Sequence, residues 1–347
     1  MARNLFDSMV SVENIFLCWD QFKRGKKKRK DIQQFSMYLE DFIFELHEEL
    51  LSFRYQHSPY EQFYVFDPKE RYISKASVRD RLVHQMVYSA LTQVFDKTFL
   101  FHSLSCRLSK GTHMGVNLLQ KFTREVSQNG SRECYALKMD IRRFFDSVDH
   151  ITLKSLIRKR VKDDRALKLI DTIIDSFAFQ EIGNRKTGLP LGNVTSQLFA
   201  NVYLHELDMF VKHTIRKKHY LRFSDDFIFV SEKKVELYAL IPLIRKFLKE
   251  DLYLDLHPKK VILRNLHQGI DFLGYVLFLK HRTLRTRTKK RLKKRLKKKH
   301  SYYLDRKISN KTLDQCLQSY LGILSHANQH TFSEALKNAY WIRGRSF

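Results

Sequence analysis

Cysteine, proline and long apolar runs are all scarce in this 347-residue chain. The four cysteines, Cys18, Cys106, Cys134 and Cys316, are scattered, which excludes a disulfide framework and a paired zinc motif. No stretch approaches the roughly 20 apolar residues that span a bilayer, and the amino terminus lacks the apolar run of a secretion signal. With 5 prolines and no low-complexity linker before residue 280, the sequence predicts a compact body in a reducing, cytoplasmic compartment.

Acidic residues are outnumbered by basic ones, since 37 Asp and Glu stand against 64 Lys and Arg and leave a net charge of +27. Such an excess calls for a polyanionic partner, and nucleic acid fits better than an anionic membrane surface. The hydrophobic content of 43%, with 27 Phe and 16 Tyr, indicates a folded protein rather than a disordered basic tail.

Two adjacent aspartates stand between runs of aromatic and β-branched residues in YLRFSDDFIFV, Tyr220 to Val230. The flanking runs are typical of strands, which places Ser224, Asp225 and Asp226 at the tip of a hairpin. A turn can aim neighbouring side chains at one point, whereas successive strand residues point to opposite faces. Two unpaired carboxylates repel each other unless a cation neutralises them, so the pair indicates a cation site; a polar surface turn is the alternative.

A third carboxylate, Asp140, interrupts the end of a strand predicted from Tyr135 to Ile141. Aspartate is depleted in apolar strands, which suggests that this one is presented for a purpose. Together with the aspartate pair it would place three oxygen ligands at one sheet edge, a donor set suited to Mg²⁺ and substrate phosphates. Two such ions support an in-line displacement at phosphorus. Ser147 or Asp149 is predicted instead to cap the next helix.

Helical periodicity extends over residues 4–22 and 31–52, on either side of the basic run KRGKKKRK. That run, Lys23 to Lys30, is either a solvated loop or a contact for phosphate or a partner. Short extended runs from Tyr60 to Ser74 then precede a helix from about Val78 to Phe95.

A strongly basic segment follows near the end of the chain, where thirteen of the twenty residues 280–299 are Lys or Arg. Leu284, Leu292 and Leu296 form a helical stripe there, which predicts one narrowly amphipathic helix. Like charges destabilise such a helix in isolation, and bound phosphates would offset their repulsion. Residues 311–342 predict one or two further helices.

Four motifs in this order resemble those of reverse transcriptases: DIRRFF from Asp140, GLPLGNVTSQLFANVYL from Gly188, FSDD from Phe223 and DFLGY from Asp271. The resemblance covers residues from about Tyr64 to Tyr275. The segments CRLSKGTHMG and LGNVTSQLFANVY are most similar to the enzymes of diversity-generating retroelements, with retron and group II intron enzymes as neighbouring possibilities.

The resemblance implies an α+β right-hand polymerase. It implies an amino-terminal extension and fingers over residues 1–135, a palm with an antiparallel sheet over 136–280, and a short basic helical thumb over 281–347. A helix over about 194–213 would lie within the palm.

The activity implied by the resemblance is RNA-directed DNA synthesis with two Mg²⁺ ions. Asp140, Asp225 and Asp226, with the backbone of Ile141, would hold the metal. By their positions in the motifs, a further set of residues is implied to bind the incoming nucleotide: Arg71, Lys75, Arg81, Phe145, Leu191, Gly192, Gln197 and Lys260. The implied primer grip comprises Phe272, Leu273, Gly274 and Tyr275. The implied nucleic-acid contacts are Arg107, Lys110, Arg285, Lys289 and Lys293.

One departure from the family bears on fidelity, because Leu191 stands where many reverse transcriptases have glutamine. An aliphatic side chain cannot hydrogen-bond to the nucleotide or template, so error-prone copying of template adenines is predicted. Mutagenic retrohoming would need a template RNA, its cDNA, dNTPs and a small oligomeric accessory protein. The enzyme would be cytoplasmic and bacterial, archaeal or phage-encoded, with no membrane partner. The alternatives are a retron or defence-type reverse transcriptase and a non-catalytic nucleic-acid-binding protein on a polymerase fold.

Overall fold

The computed structural model describes residues 4–66, 70–183 and 185–342. The amino-terminal helices are α1 (Leu5–Val10), α2 (Val12–Phe22), α3 (Lys30–Met37) and α4 (Leu39–Leu51). The helices predicted over 4–22 and 31–52 are therefore each divided into two. The first division has a capping cause: Ser11 adopts an extended ψ of 145°, and its hydroxyl accepts a hydrogen bond from the Asn14 backbone N–H.

A two-stranded antiparallel hairpin follows these helices, and its strands are β1 (Glu61–Val65) and β2 (Arg71–Lys75). The next helices are α5 (Val78–Phe95), which matches its predicted bounds, and α6 (Thr112–Ser127).

The middle of the chain supplies one strand of a central sheet and the helices around it. These elements are β3 (Tyr135–Asp140), α7 (Phe144–Ser147), α8 (His150–Arg158), α9 (Asp164–Asp175), β4 (Gln180–Ile182), β5 (Arg185–Thr187) and α10 (Val194–Met209). A π-helical turn, Phe210–Thr214, prolongs α10, so the helix predicted over about 194–213 is confirmed. Asp149 caps α8 by accepting a hydrogen bond from the Thr152 N–H at 2.8 Å, as one of the two predicted caps.

The remaining elements complete the sheet and form a helical end. They are β6 (Tyr220–Phe223), β7 (Asp226–Ser231), α11 (Lys234–Asp251), β8 (Ile262–Asn265), β9 (Ile270–Phe272), β10 (Tyr275–Leu277), β11 (Arg282–Leu284), α12 (Thr286–Leu304), α13 (Asn310–Leu324) and α14 (His330–Ile342). No helix among the described residues is long and apolar enough to cross a membrane.

The central antiparallel sheet has the strand order β6-β7-β3-β8 and separates two apolar cores. On one face, Leu137 and Phe229 join a core shared with α5, α10 and α11. On the other face, Ala136 and Ile228 join a core shared with α6, the small sheet β9-β10-β11 and the carboxy-terminal helices. This division follows from the alternation of side chains along each strand.

One predicted assignment is wrong at the start of the basic helix. Leu284 ends β11, where it pairs with Tyr275 of β10, and α12 begins at Thr286. Leu292 and Leu296 are buried on α12, 4% and 3% exposed, as the predicted stripe requires. Pairing with β10 decides the conformation of Leu284, because a three-residue strand has too short a pattern to distinguish it from a helical turn.

Candidate active site

The three predicted carboxylates lie at one edge of the central sheet. Asp140 is the last residue of β3 and pairs directly with Asp226, the first residue of β7. Ser224 and Asp225 form the turn between β6 and β7, and Ser224 adopts a left-handed φ of 57°. The hairpin tip predicted from YLRFSDDFIFV is therefore present, and it brings Asp225 close enough for the charge of Asp140 to affect its titration.

Burial disfavours the ionised forms of Asp225 and Asp226. It raises the pKa of Asp226 to about 6, although the nearby Lys138 ammonium opposes the shift. It also raises the pKa of Asp225, and the negative charge of Asp140 adds to that rise. A bound cation would remove both penalties, because it stabilises the ionised carboxylates.

Two lysines donate to the carboxylates at this edge. Lys260 Nζ lies 2.9 and 3.0 Å from the two carboxylate oxygens of Asp140, and Lys138 Nζ lies 2.7 Å from Asp226 Oδ2. Asp226 Oδ1 is buried and has no hydrogen-bond partner among the described residues. This unsatisfied carboxylate oxygen and the hard character of the donors fit a divalent cation such as Mg²⁺.

The carboxylates do not form a preassembled metal cluster. In the part of the chain that the structure describes, no three His, Cys, Asp or Glu side chains are arranged as a metal site. Ile141, whose backbone was predicted as a ligand, directly follows Asp140 and forms an isolated bridge with Leu256. The carboxylates fit a divalent cation because they are hard oxygen donors and because Asp226 Oδ1 is unsatisfied within the described part of the chain. In this structure Lys260 and Lys138 neutralise Asp140 and Asp226 instead.

The loop before α10 is joined to β2 of the first hairpin. The Ser74 N–H donates to the Leu191 carbonyl at 3.0 Å, and Asn193 Nδ2 donates to the Ser74 carbonyl at 3.1 Å. Gly192 has a φ of 120°, and a Cβ at this position would lie 3.1 Å from Ile73 Cγ2. Glycine is therefore required by the backbone conformation and by the close approach of β2.

The basic residues predicted to clamp a triphosphate differ in their surroundings. Arg71 is exposed at the start of β2 and shares a strand face with Ile73, the side chain that approaches Gly192. Lys75 Nζ lies 2.9 Å from a Glu61 carboxylate oxygen, and Arg81 donates to Asp31 at 2.7 Å. Lys75 and Arg81 would have to exchange these carboxylates for phosphates, whereas no acidic partner of Arg71 lies within 4 Å among the described residues.

The two aromatic residues that follow Asp140 in the motif, Phe144 and Phe145, differ in burial. Phe144 is 2% exposed within the core, and Phe145 is half-buried with its carbonyl accepting a hydrogen bond from the Leu189 N–H at 2.6 Å. Phe145 thus adjoins the loop that carries Leu191, which is itself half-buried. Gln197 is exposed on α10.

The predicted primer-grip segment forms a tight hairpin. Phe272 ends β9 and Tyr275 begins β10, and both rings are buried. Leu273 and Gly274 make the turn with φ values of 50° and 90°, a combination that a two-residue hairpin loop needs. A Cβ on Gly115 of α6 would lie 2.8 Å from Leu273 Cδ1, so this glycine lets α6 approach the hairpin.

The residues predicted to contact nucleic acid are mostly engaged within the protein. The Arg107 side chain is 8% exposed and donates to the Asp96 carboxylate at 2.6 Å and to three backbone carbonyls, so it holds its own loop together, and its contact with nucleic acid stays a prediction. Arg285 is paired with Asp271. Lys289 and Lys293 lie 6.0 and 5.4 Å from the centroid of the Phe332 ring, although Lys293 is exposed.

Lys110 is half-buried; its ammonium lies 3.4 Å from the centroid of the Phe101 ring and donates to the Phe101 carbonyl at 3.3 Å. Among the five residues predicted to contact nucleic acid, Lys293 is the exposed one, so it retains the accessibility that a phosphate contact needs.

Sequence reasoning missed Lys138 and the partners of Arg222. Lys138 lies two residues before Asp140 on the same strand face, so its proximity to the carboxylates was readable once the strand was assigned. Its diagonal approach to Asp226 also needs the register of β3 against β7. Arg222 within the apolar β6 was a visible anomaly, but its partner Asp208 lies on α10.

Comparisons with known proteins find a matching family and several relatives. The family described as "Reverse transcriptase (RNA-dependent DNA polymerase)" matches residues 67–277. The protein YkfC of Escherichia coli is 24% identical over 283 residues, which cover 70% of this chain and 71% of YkfC. The group II intron-encoded protein LtrA of Lactococcus lactis is 28% identical over 177 residues, which cover 50% of this chain and 28% of LtrA.

A solved structure shares the fold. The telomerase from Candida tropicalis, in complex with the TWJ fragment of telomeric RNA, superposes with a TM-score of 0.50 at 14% sequence identity. The match covers 88% of this chain and 58% of the telomerase chain. At this identity the likeness concerns the fold alone, and it confirms the right-hand polymerase architecture predicted from the motifs.

Proposed function

Because the chain belongs to the reverse transcriptase family, an RNA-directed DNA polymerase family, we propose that the edge formed by Asp140, Asp225 and Asp226 is its polymerase active site. The observation that carries this assignment is the direct pairing of Asp140 with Asp226 beside the turn that holds Asp225. We assign fingers to residues 1–135, the palm to 136–280 and the thumb to 281–347.

Asp140, Asp225, Asp226 and the carbonyl of Ile141 would hold the catalytic cations. Two divalent cations, when bound, supply activation of the primer 3′-hydroxyl and neutralisation of the departing pyrophosphate. Lys260 would leave the Asp140 carboxylate at that stage, and its side chain is 40% exposed, which gives it room to move. Its ammonium would then be available to donate a proton to pyrophosphate.

The nucleotide pocket would be bounded by β2 and the loop before α10. Arg71 would contact the triphosphate, because charge-assisted hydrogen bonds to phosphate need an accessible guanidinium. Phe145 would contact the sugar, where a bulky ring excludes a ribose 2′-hydroxyl. Gly192 would present its backbone to the nucleotide, and Lys75, Arg81 and Gln197 would follow as outer contacts.

The finer function that we propose is error-prone synthesis for mutagenic retrohoming, with a template RNA and a small oligomeric accessory protein. Leu191 supports it, because an aliphatic side chain in the pocket removes a polar check on base pairing. The relatives YkfC and LtrA carry no information on error rate, and the name of LtrA favours the alternative of an intron-type enzyme. The retron-type alternative predicts faithful copying.

The experiment is deep sequencing of cDNA made by the purified protein on a primed RNA that contains adenines, with Mg²⁺ and dNTPs. Asp225→Asn should reduce product about a thousandfold or more, because it removes a ligand charge from the site. Errors opposite adenine should be frequent with the wild type and rarer with Leu191→Gln. Product from Asp225→Asn at the wild-type level would contradict the site, and faithful wild-type product would contradict only the mutagenic function.

A further inference from the structure

Lys138 binds only one oxygen of Asp226. Its ammonium lies 2.7 Å from Oδ2, while Oδ1 of the same carboxylate is buried with no hydrogen-bond partner among the described residues. Lys260 behaves differently, since its ammonium lies within 3.0 Å of both oxygens of Asp140. The Asp226 carboxylate therefore keeps one oxygen without a hydrogen-bond donor in the described part of the chain, whereas both oxygens of Asp140 accept from Lys260.

The position of Lys138 is fixed by the sheet and by the core beneath it. Lys138 stands opposite Ile228 on β7, so Asp226 is its diagonal neighbour on the same sheet face. The Phe272 ring is fully buried, and its centroid lies 5.9 Å from the lysine ammonium. The Lys138 side chain is 21% exposed, compared with 40% for Lys260, so it has less freedom to turn into solvent.

We propose that Lys138 is a positioning residue for the divalent cation. By holding Oδ2 it fixes the rotation of the Asp226 carboxylate and keeps Oδ1 as an unpartnered acceptor for the metal. Groups that hydrogen-bond to a metal ligand in this way orient it and increase metal affinity. The inference rests on the proposed polymerase site, but it concerns metal binding, which is measured without nucleotide or template.

The variants for the test are Lys138→Met, which keeps a long unbranched side chain but removes the charge and the donor, and Lys138→Arg, which keeps both the charge and the donor. Lys138→Gln retains an uncharged N–H donor group, the side-chain amide, on a side chain shorter than that of lysine. Lys246→Met is the matched control, because it removes one lysine from α11, where the side chain is 73% exposed. Mn²⁺ is the probe, and its binding to each protein is followed by electron paramagnetic resonance without nucleotide.

Lys138→Met should weaken Mn²⁺ binding about 10- to 100-fold, and Lys138→Arg should stay within about threefold of the wild type. Lys138→Gln should fall between them, and Lys246→Met should bind as the wild type does. In the polymerase assay, kcat of Lys138→Met should fall while KM for dNTP changes little. The unfolding midpoint of each variant, measured in the presence of a chelator, shows whether it keeps the wild-type fold. Mn²⁺ affinities are compared only among the variants that do.

Unchanged or tighter Mn²⁺ binding by folded Lys138→Met or Lys138→Gln would overturn the proposal, because Lys138 would then be a competitor of the metal or a bystander. The proposed function can fail separately. A wild-type protein that makes no cDNA yet loses Mn²⁺ affinity on Lys138→Met would contradict the polymerase and support the positioning role. A wild-type protein that binds no Mn²⁺ would contradict the positioning role outright.

Discussion

A fully buried arginine supports the turn that carries Asp225. Arg222 and Asp208 are both 0% exposed; Arg222 Nη2 donates to Asp208 Oδ2 at 2.6 Å, and Nε donates to Oδ1 at 2.8 Å. Arg222 Nη1 also donates to the Ser224 carbonyl at 3.2 Å. This ion pair therefore connects α10 to the residue before the first aspartate of the hairpin tip.

Asp208→Asn should lower the free energy of unfolding by about 3–5 kcal/mol, because it leaves the Arg222 charge buried without a counter-charge. Urea denaturation followed by circular dichroism measures the change. Glu232→Gln is the control. Arg132 and Glu232 form an exposed ion pair with an N–O distance of 3.1 Å, so its loss should lower the free energy of unfolding by less than about 1 kcal/mol. Equal destabilisation of the two variants would show that the buried pair does not support the fold.

At the scale of elements, a polar contact joins α5 to α10. His84 Nδ1 lies 2.5 Å from Thr195 Oγ1 in the first turn of α10, and His84 Nε2 lies 3.1 Å from His57 Nε2. Burial lowers the pKa of His84 from 6.5 to about 3, with a further contribution from His57. The folded protein therefore keeps His84 neutral over a range in which the unfolded chain binds a proton.

This difference predicts a loss of stability on acidification below pH 6.5, where the unfolded state takes up the His84 proton first. His84 should contribute a slope of up to about 1.4 kcal/mol per pH unit between its unfolded and folded pKa values. Denaturant titrations at a series of pH values measure the slope for the wild type and for His84→Asn. The variant should be less stable near neutrality but show a shallower slope, and parallel slopes would contradict the assignment.

The sequence predicted those elements that depend on local pattern. The carboxylate hairpin and the end of β3 were readable because apolar alternation defines strands and Ser224–Asp225–Asp226 interrupts it. The Asp208–Arg222 pair was not readable, because it depends on how α10 packs against β6. Leu284 was assigned to the helix because its strand is only three residues long, and β10 determines its conformation.

At the scale of the whole molecule, the net charge of +27 is distributed unevenly. The apolar stripe of α12 packs into the core that also contains β9 and β10, and Lys290, Lys294 and Lys297 are exposed at helical spacing i, i+4 and i+7. On the opposite face of the sheet, α11 packs into the other core. Because the two helices pack on opposite faces of the sheet, we predict that nucleic acid bound on the α12 side contacts the exposed lysines of α12 rather than those of α11.

Replacing Lys290, Lys294 and Lys297 by glutamine should weaken binding of an RNA–DNA duplex and flatten its dependence on salt. The slope of log K against log salt concentration should become shallower by about 0.9 for each phosphate that the variant no longer neutralises, because fewer counterions are released on binding. Fluorescence anisotropy over a series of KCl concentrations measures the slope. The matched control replaces Lys233, Lys246 and Lys249, which are exposed at or near α11, by glutamine. It removes the same total charge. If α12 binds the duplex directly, only the α12 variant changes the slope, whereas equal changes would mean that the duplex responds to net charge alone.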